Sequence, residues 1–424
     1  MRIVLTTWGS LGDLHPYLAL GVEMKRRGHD VSVATLGAWE AAVRSAGLGF
    51  HPIRPDVPAD ESEARALVRQ VLDAKGGPQY LFEQVFAPVM RQTYDDTLAA
   101  VRADGGADLL VTHQIPVTGP IVAEVTGVSW VSGVLLPLAF LSAFDPPTPP
   151  QAPALQKVAA VHPAIAGALN KFGRWMTRGW AEPTYRLREE LGLARGASPL
   201  FEAQHSPALV LALFSRVLAQ KQPDYPPQAV ITGFPFYDAS GARPADPDLI
   251  RFLDAGEAPV VFTLGSSAVW IAGDFYQTAI AAMRKLRRRA ILLAGEQTAS
   301  LRASGLPDTM TAFDYAPHSF VMPRASVVVH QGGVGTTGQA LRSGRPQLVV
   351  PFGQDQPDNA RRCVALGVAR TISRSSFTPD RVVGHVRELL QDQGYARRAA
   401  EVGASVRAEN GTQTACDEIE RRIC

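Results

Sequence analysis

The chain has 424 residues, 46% of them hydrophobic and 19% charged, with a formal net charge of +2. That length predicts two or three domains with sizeable cores, and the near-neutral balance gives no argument for a nucleic-acid partner. The three cysteines, Cys363, Cys416 and Cys424, are few, odd in number and out of metal spacing, which speaks against a disulfide scaffold or a zinc site.

In chain order, IVLTTW (3–8) reads as a buried strand, GSLGD (9–13) as a loop and LHPYLALGVEMKRRG (14–28) as an amphipathic helix ended by Gly28. The opening apolar run is too short for a signal peptide or a membrane span, and no run of about 18 apolar residues follows, so a cytoplasmic protein is expected. HDVSVAT (29–35), DLLVTH (108–113) and VSWVSGVLL (128–136) are further strands, with helical patterns between them. This alternation predicts an α/β fold with a parallel, doubly wound sheet. DPPTPPQAP (145–153) is a Pro-rich loop, and KFGRWMTRGWAEPTYRLREEL (171–191) mixes aromatic residues with arginines.

A Pro- and Gly-rich stretch, 222–248, marks a boundary. The expected division is an N-terminal domain over 1–225, a linker over 226–245 and a C-terminal domain over 246–424, whose last helix can pack back on the first domain. In the second half PVVFTLGSS (259–267), AILLAG (290–295), SVVVH (326–330) and PQLVVPF (346–352) are strands. AIAAMRKLRRR (279–289) and the tail 380–411 are helical. In open α/β sheets ligands bind beyond the carboxyl ends of the strands, so the loops GSLGD, TLGSS, HQGGVGTTG and PFGQDQPDN are expected to face one cleft.

Gly333, Gly335 and Gly338 in HQGGVGTTGQ (330–339) are spaced G-x-G-x-x-G between a strand and a helix. Such a turn presents free backbone N–H groups and the positive end of a helix dipole, which suits a phosphate. Thr336 and Thr337 add hydroxyls, and His330 has a ring N–H to offer. The fingerprint of a dinucleotide site opens the first βα turn of its half, whereas this one follows the third strand of the second half. Asp355 also sits in a loop beyond Pro351 and not at a strand tip. The loop is therefore expected to hold a diphosphate carrying another group, such as a sugar.

The residues YAPH (315–318), 323–362 and 6–35 together resemble the nucleotide-sugar-dependent glycosyltransferases of the UDP-glycosyltransferase superfamily, over nearly the whole chain. The resemblance implies the GT-B fold: two Rossmann-like, doubly wound domains facing a cleft, acceptor side first and donor side second. The G-S-x-G-D opening is like the bacterial branch, which includes antibiotic and sterol glycosyltransferases. TGFPFYD (232–238), FTLGSS (262–267) and GDFY (273–276) are similar to a rhamnosyltransferase of rhamnolipid synthesis.

On the donor side the resemblance places Tyr315 against the nucleotide base, with His318 where the family has glutamine. It places His330, Gly332, Gly333, Gly335, Thr336 and Thr337 at the pyrophosphate, Ser266 and Ser267 on a second loop near it, and Asp355 and Gln356 on the sugar hydroxyls, with Asn359 as support. Uracil and thymine, and glucose and a deoxysugar such as rhamnose, all stay open. In G-D-L-H-P (12–16) Asp13 stands where much of the family has a histidine base, so Asp13 is the expected base, His15 its rival, and an N-cap its structural alternative. Asp108 and His113, near a strand end, are candidates for orienting groups in the acceptor site. The implied reaction is a direct, inverting displacement that needs no metal and no cofactor beyond the UDP- or dTDP-sugar. DPD (246–248) is expected to be a solvated turn.

The hydroxyl acceptor is expected to be hydrophobic — a lipid, polyketide or other natural product — against Phe82, Phe86, Met90, Phe140 and Phe144, although core packing explains each of these singly. KFGRWMTRGW (171–180) suits a peripheral membrane contact, a solvated helix or lid being the simpler expectation. The competing readings are a nucleotide-sugar epimerase or hydrolase of the same fold, an NAD-dependent oxidoreductase, and a non-catalytic binding module.

Overall fold

The computed structural model describes residues 1–238 and 246–423. The end of the expected linker (239–245) and Cys424 lie outside the described residues.

The chain forms two compact units. The first comprises Met1–Ala64, Lys75–Tyr237 and Glu409–Cys424, the second Arg65–Ala74 and Asp238–Ala408. The first unit is built on seven parallel strands: β1 (Arg2–Thr6), β2 (Asp30–Thr35), β3 (Gly49–Pro52), β4 (Leu109–His113), β5 (Ser129–Val134), β6 (Val210–Ala212) and β7 (Ala229–Ile231). Their spatial order is β3-β2-β1-β4-β5-β6-β7. The apolar runs in β1 and β4 are buried along their length, as strands covered by helices on both faces require. β7 falls inside the stretch expected as linker.

The second unit carries β8 (Val260–Thr263), β9 (Ala290–Leu293), β10 (Met310–Phe313), β11 (Val327–His330), β12 (Gln347–Val349) and β13 (Ala369–Thr371). They are parallel, in the order β10-β9-β8-β11-β12-β13. Each sheet therefore reverses its winding once, between β1 and β4 in the first and between β8 and β11 in the second. Those switch points open a crevice at the carboxyl ends of the strands.

Two short segments depart from a simple halving of the chain. Arg65–Ala74 belongs to the second unit: Leu72 joins its core, and the Gln354 side chain donates to the Val71 carbonyl. The helix Gly411–Ile423 belongs to the first, against the helix Leu11–Arg26. Arg27 pairs there with Asp417 and Glu420, each at 2.7 Å. Asp246 of the DPD stretch caps the helix Pro247–Asp254 by accepting from the Asp248 N–H. The basic–aromatic stretch lies largely on the helix Pro163–Met176, with Phe172, Trp175 and Met176 exposed. No helix among the described residues is long and apolar enough to cross a membrane.

Candidate active site

In the second unit, β11 ends at His330 and the chain turns through Gly332 and Gly333 into the helix Val334–Ser343. Gly332 has φ +93°, and a Cβ there would lie 2.8 Å from Val349 Cγ1 and 3.1 Å from the Gln356 carbonyl, so the turn requires glycine. The neighbouring loops close on this helix end. A Cβ on Gly265, just before Ser266 and Ser267, would lie 3.2 Å from Thr336 Oγ1. Asp355 Oδ2 accepts from the Val334 N–H at 3.2 Å and from Asn359 Nδ2 at 2.6 Å, while Asn359 also donates to the Gly332 carbonyl. His318 Nε2 lies 3.4 Å from Thr263 Oγ1, which brings the YAPH segment to the end of β8. Tyr315 is 46% exposed. Gln356 is buried, its side-chain Oε1 accepting the Phe352 N–H at 2.7 Å.

Two details differ from the sequence expectations. His330 is fully buried and both ring nitrogens are used inside the protein: Nδ1 accepts from the Gly332 N–H at 3.1 Å, so Nε2 donates to Gln347 Oε1 at 3.0 Å. Burial holds this ring down to about 4, against the opposing effect of the Gln347 bond. The ring thus braces the loop and has no N–H left over. Thr337 is also fully buried, and its hydroxyl has no hydrogen-bond partner, whereas Thr336 receives the Gln331 amide at 3.4 Å. Successive helical residues point about 100° apart, which separates a pair that the sequence presents together. What remains at the helix end are the first-turn N–H groups, which a helix cannot satisfy itself; Asp355 takes that of Val334. Gln331 and Gln347 escaped the sequence reading, because their partners come from turn closure and sheet register.

In the first unit, β1 leads through Gly9 into the helix Leu11–Arg26. Ser10, not Asp13, is its N-cap; Asp13 completes a capping box, its Oδ2 accepting from the Ser10 N–H at 2.8 Å and from Ser10 Oγ at 3.1 Å. The other oxygen, Oδ1, lies 3.5 Å from Nε2 of His113 at the end of β4, and the carboxylate keeps 23% of its side chain exposed. β1 and β4 are neighbours, so sheet pairing alone brings these two residues together across the switch point. Tyr17 packs edge-on to the His113 ring and donates to the Thr112 carbonyl at 2.9 Å. Burial first, and then the Asp13 charge, push its phenol well above the usual range. His15, on the same turn, faces Tyr237. Asp108 sits at the opposite end of β4, where it accepts from the Arg2 N–H at 2.7 Å, so strand direction separates it from Asp13.

The five apolar candidates for an acceptor wall differ in burial. Phe86, Met90 and Phe140 are core residues, Phe86 packing on Trp8 and Phe140 stacking on Tyr225 at 4.1 Å. Phe82 is half-buried against Trp180, and Phe144 is 52% exposed.

Two family models match: the glycosyltransferase family 28 N-terminal domain over residues 3–104, and the erythromycin biosynthesis protein CIII-like C-terminal domain over 280–423. The chain is 32% identical to O-mycaminosyltylonolide 6-deoxyallosyltransferase of Streptomyces fradiae over 99% of its own length and 97% of that protein's. It is 26% identical to a sterol 3-beta-glucosyltransferase of Leptosphaeria maculans, covering the whole chain but 29% of that longer protein. Among solved structures, the glycosyltransferase VinC in complex with dTDP matches 99% of each chain with a TM-score of 0.69 at 20% identity. The chain therefore belongs to the UDP-glycosyltransferase superfamily and is a glycosyltransferase of the GT-B fold.

Proposed function

We propose that the enzyme transfers a hexose or 6-deoxyhexose, with inversion, from a nucleoside-diphosphate sugar to a hydroxyl of a hydrophobic natural product. The observation that carries this reading is the convergence of the Ser266–Ser267 turn, the Gly332–Gly333 turn and the Asp355–Gln356 loop on one helix N-terminus. That arrangement suits a diphosphate with polar side chains beside the sugar it carries. The 6-deoxyallosyl group and O-mycaminosyltylonolide acceptor named for the Streptomyces relative, and the dTDP named for the structural neighbour, favour a thymidine-linked deoxysugar over UDP-glucose.

In this reading Tyr315 stacks on the base, the Gly335 and Thr336 N–H groups meet the diphosphate, and Asp355 and Gln356 read sugar hydroxyls. Asp13 Oδ1 takes the proton of the acceptor hydroxyl as that oxygen bonds to the anomeric carbon. The bond from that carbon to the diphosphate breaks, its electron pair leaving on a group stabilised by the helix end.

The test is calorimetric titration with dTDP, UDP and NAD, followed by an acceptor screen in which NMR assigns the product anomer. Binding of dTDP at least tenfold tighter than UDP, no binding of NAD, and a product anomer opposite to the donor's are expected. Preference for UDP, or retention of configuration, would overturn the corresponding part. Asp13→Asn is expected to lower kcat by about 10²–10⁴ with donor affinity unchanged.

A further inference from the structure

We propose that His113 is a positioning residue for Asp13: its buried Nε2–H, 3.5 Å from Oδ1, closes on that oxygen as an acceptor hydroxyl engages it and fixes the orientation from which it takes the acceptor proton. The proposal rests on the reading of Asp13 as the base.

Asp13 has one oxygen committed to structure and one not. Oδ2 is fastened by the Ser10 N–H and hydroxyl. A Cβ on Gly9 would lie 2.4 Å from it, so the backbone of the loop also presses on that side. Oδ1 is the oxygen left for chemistry, and Nε2 of His113 lies 3.5 Å from it.

The histidine is prepared as a donor. Its Nδ1 accepts the Ile115 N–H at 3.3 Å, which leaves the proton on Nε2. The ring is fully buried. It is held edge-on by Tyr17, whose own hydroxyl is tied to the Thr112 carbonyl. Asp13 and Tyr17, both from the helix Leu11–Arg26, are the titratable groups packed against it. Nε2 has no hydrogen-bond partner within normal distance. A buried donor left this way is a standing cost, and an apolar ring would fill the same space without it. The donor is aimed at the carboxylate, slightly too far to bond it, which fits a contact that tightens when an acceptor hydroxyl engages Oδ1.

An N–H donated to a carboxylate favours its charged form and fixes the plane of its lone pairs. His113→Phe is therefore expected to lower kcat at least tenfold, to leave the KM for donor within twofold, and to move the acid limb of the pH profile upward. His113→Gln, whose amide N–H reaches the same side, is expected to recover most of kcat and the original acid limb. Equal losses in the two variants, or a His113→Phe enzyme with kcat within twofold and an unmoved acid limb, would overturn the proposal.

Asp13→Asn separates the two readings. If it is inactive while His113→Phe is normal, only the positioning role fails; if it is fully active, the base itself is misassigned. The unsubstituted enzyme supplies a measurement independent of folding in the His113 variants. Its ¹⁵N spectrum is expected to show His113 protonated on Nε2, with that proton shifting on acceptor binding, and the Nδ1 tautomer would sink the idea.

Discussion

At the scale of single residues, His330 shows how burial converts an expected ligand into a brace. The sequence places a histidine immediately before a phosphate-type turn, and a ring N–H offered to the diphosphate is the natural expectation. The fold spends both nitrogens on Gly332 and Gln347, a choice made by the β11–β12 pairing that no local pattern announces. The consequence is measurable. The ring is neutral in the fold down to about pH 4 but takes a proton in the unfolded chain near its ordinary value of 6.5. Between those values the unfolded state binds more protons than the native one, so stability falls as the pH falls through that window and is complete above it. The expected loss is about 3 kcal/mol from this group. Urea unfolding at several pH values should show that slope, and His330→Asn should flatten it. A slope unchanged by the substitution would show that the histidine is not its source.

At the scale of elements, function depends on how strands hand over to helices. Both candidate sites occupy the same place in their sheets, the βα turn at a switch point, and both need a glycine at the handover. Gly332 is the sharper case, because a left-handed backbone and a 2.8 Å approach to Val349 coincide there. Gly332→Ala is expected to cost about 1–3 kcal/mol of stability. Displacement of the loop from the Val334–Ser343 helix should weaken nucleoside-diphosphate binding at least tenfold in a calorimetric titration. Unchanged affinity would mean that this turn does not carry the diphosphate. The capping box at Ser10–Asp13 belongs to the same scale: the S-x-x-D spacing is readable in the chain, whereas the approach of Asp13 to His113, 100 positions later, is created by β1 pairing with β4.

At the scale of the whole molecule, the two units trade segments. Composition places the boundary in the Pro- and Gly-rich stretch, yet β7 lies within it, Arg65–Ala74 enters the second core, and the last helix completes the first. A fragment cut at 246–424 would lack Leu72, which is buried against the second core, and would carry Ala415, Cys416 and Ile419 without the helix that covers them. Such a fragment is expected to melt at least 10 °C below the full chain or to aggregate on expression. Full-chain stability in the fragment would show that the exchanged segments contribute little to either core.

The sequence by itself determined the parallel α/β architecture, the glycine turn at a strand-to-helix junction and the family to which they belong. Each of these is written in local periodicity or in a contiguous motif. Only the tertiary structure decided which groups stay available. It buried Thr337, closed the His330 ring on Gln347, packed Phe86, Met90 and Phe140 into cores and set His113 beside Asp13. These outcomes depend on strand register and on contacts between residues tens of positions apart, which local patterning does not encode.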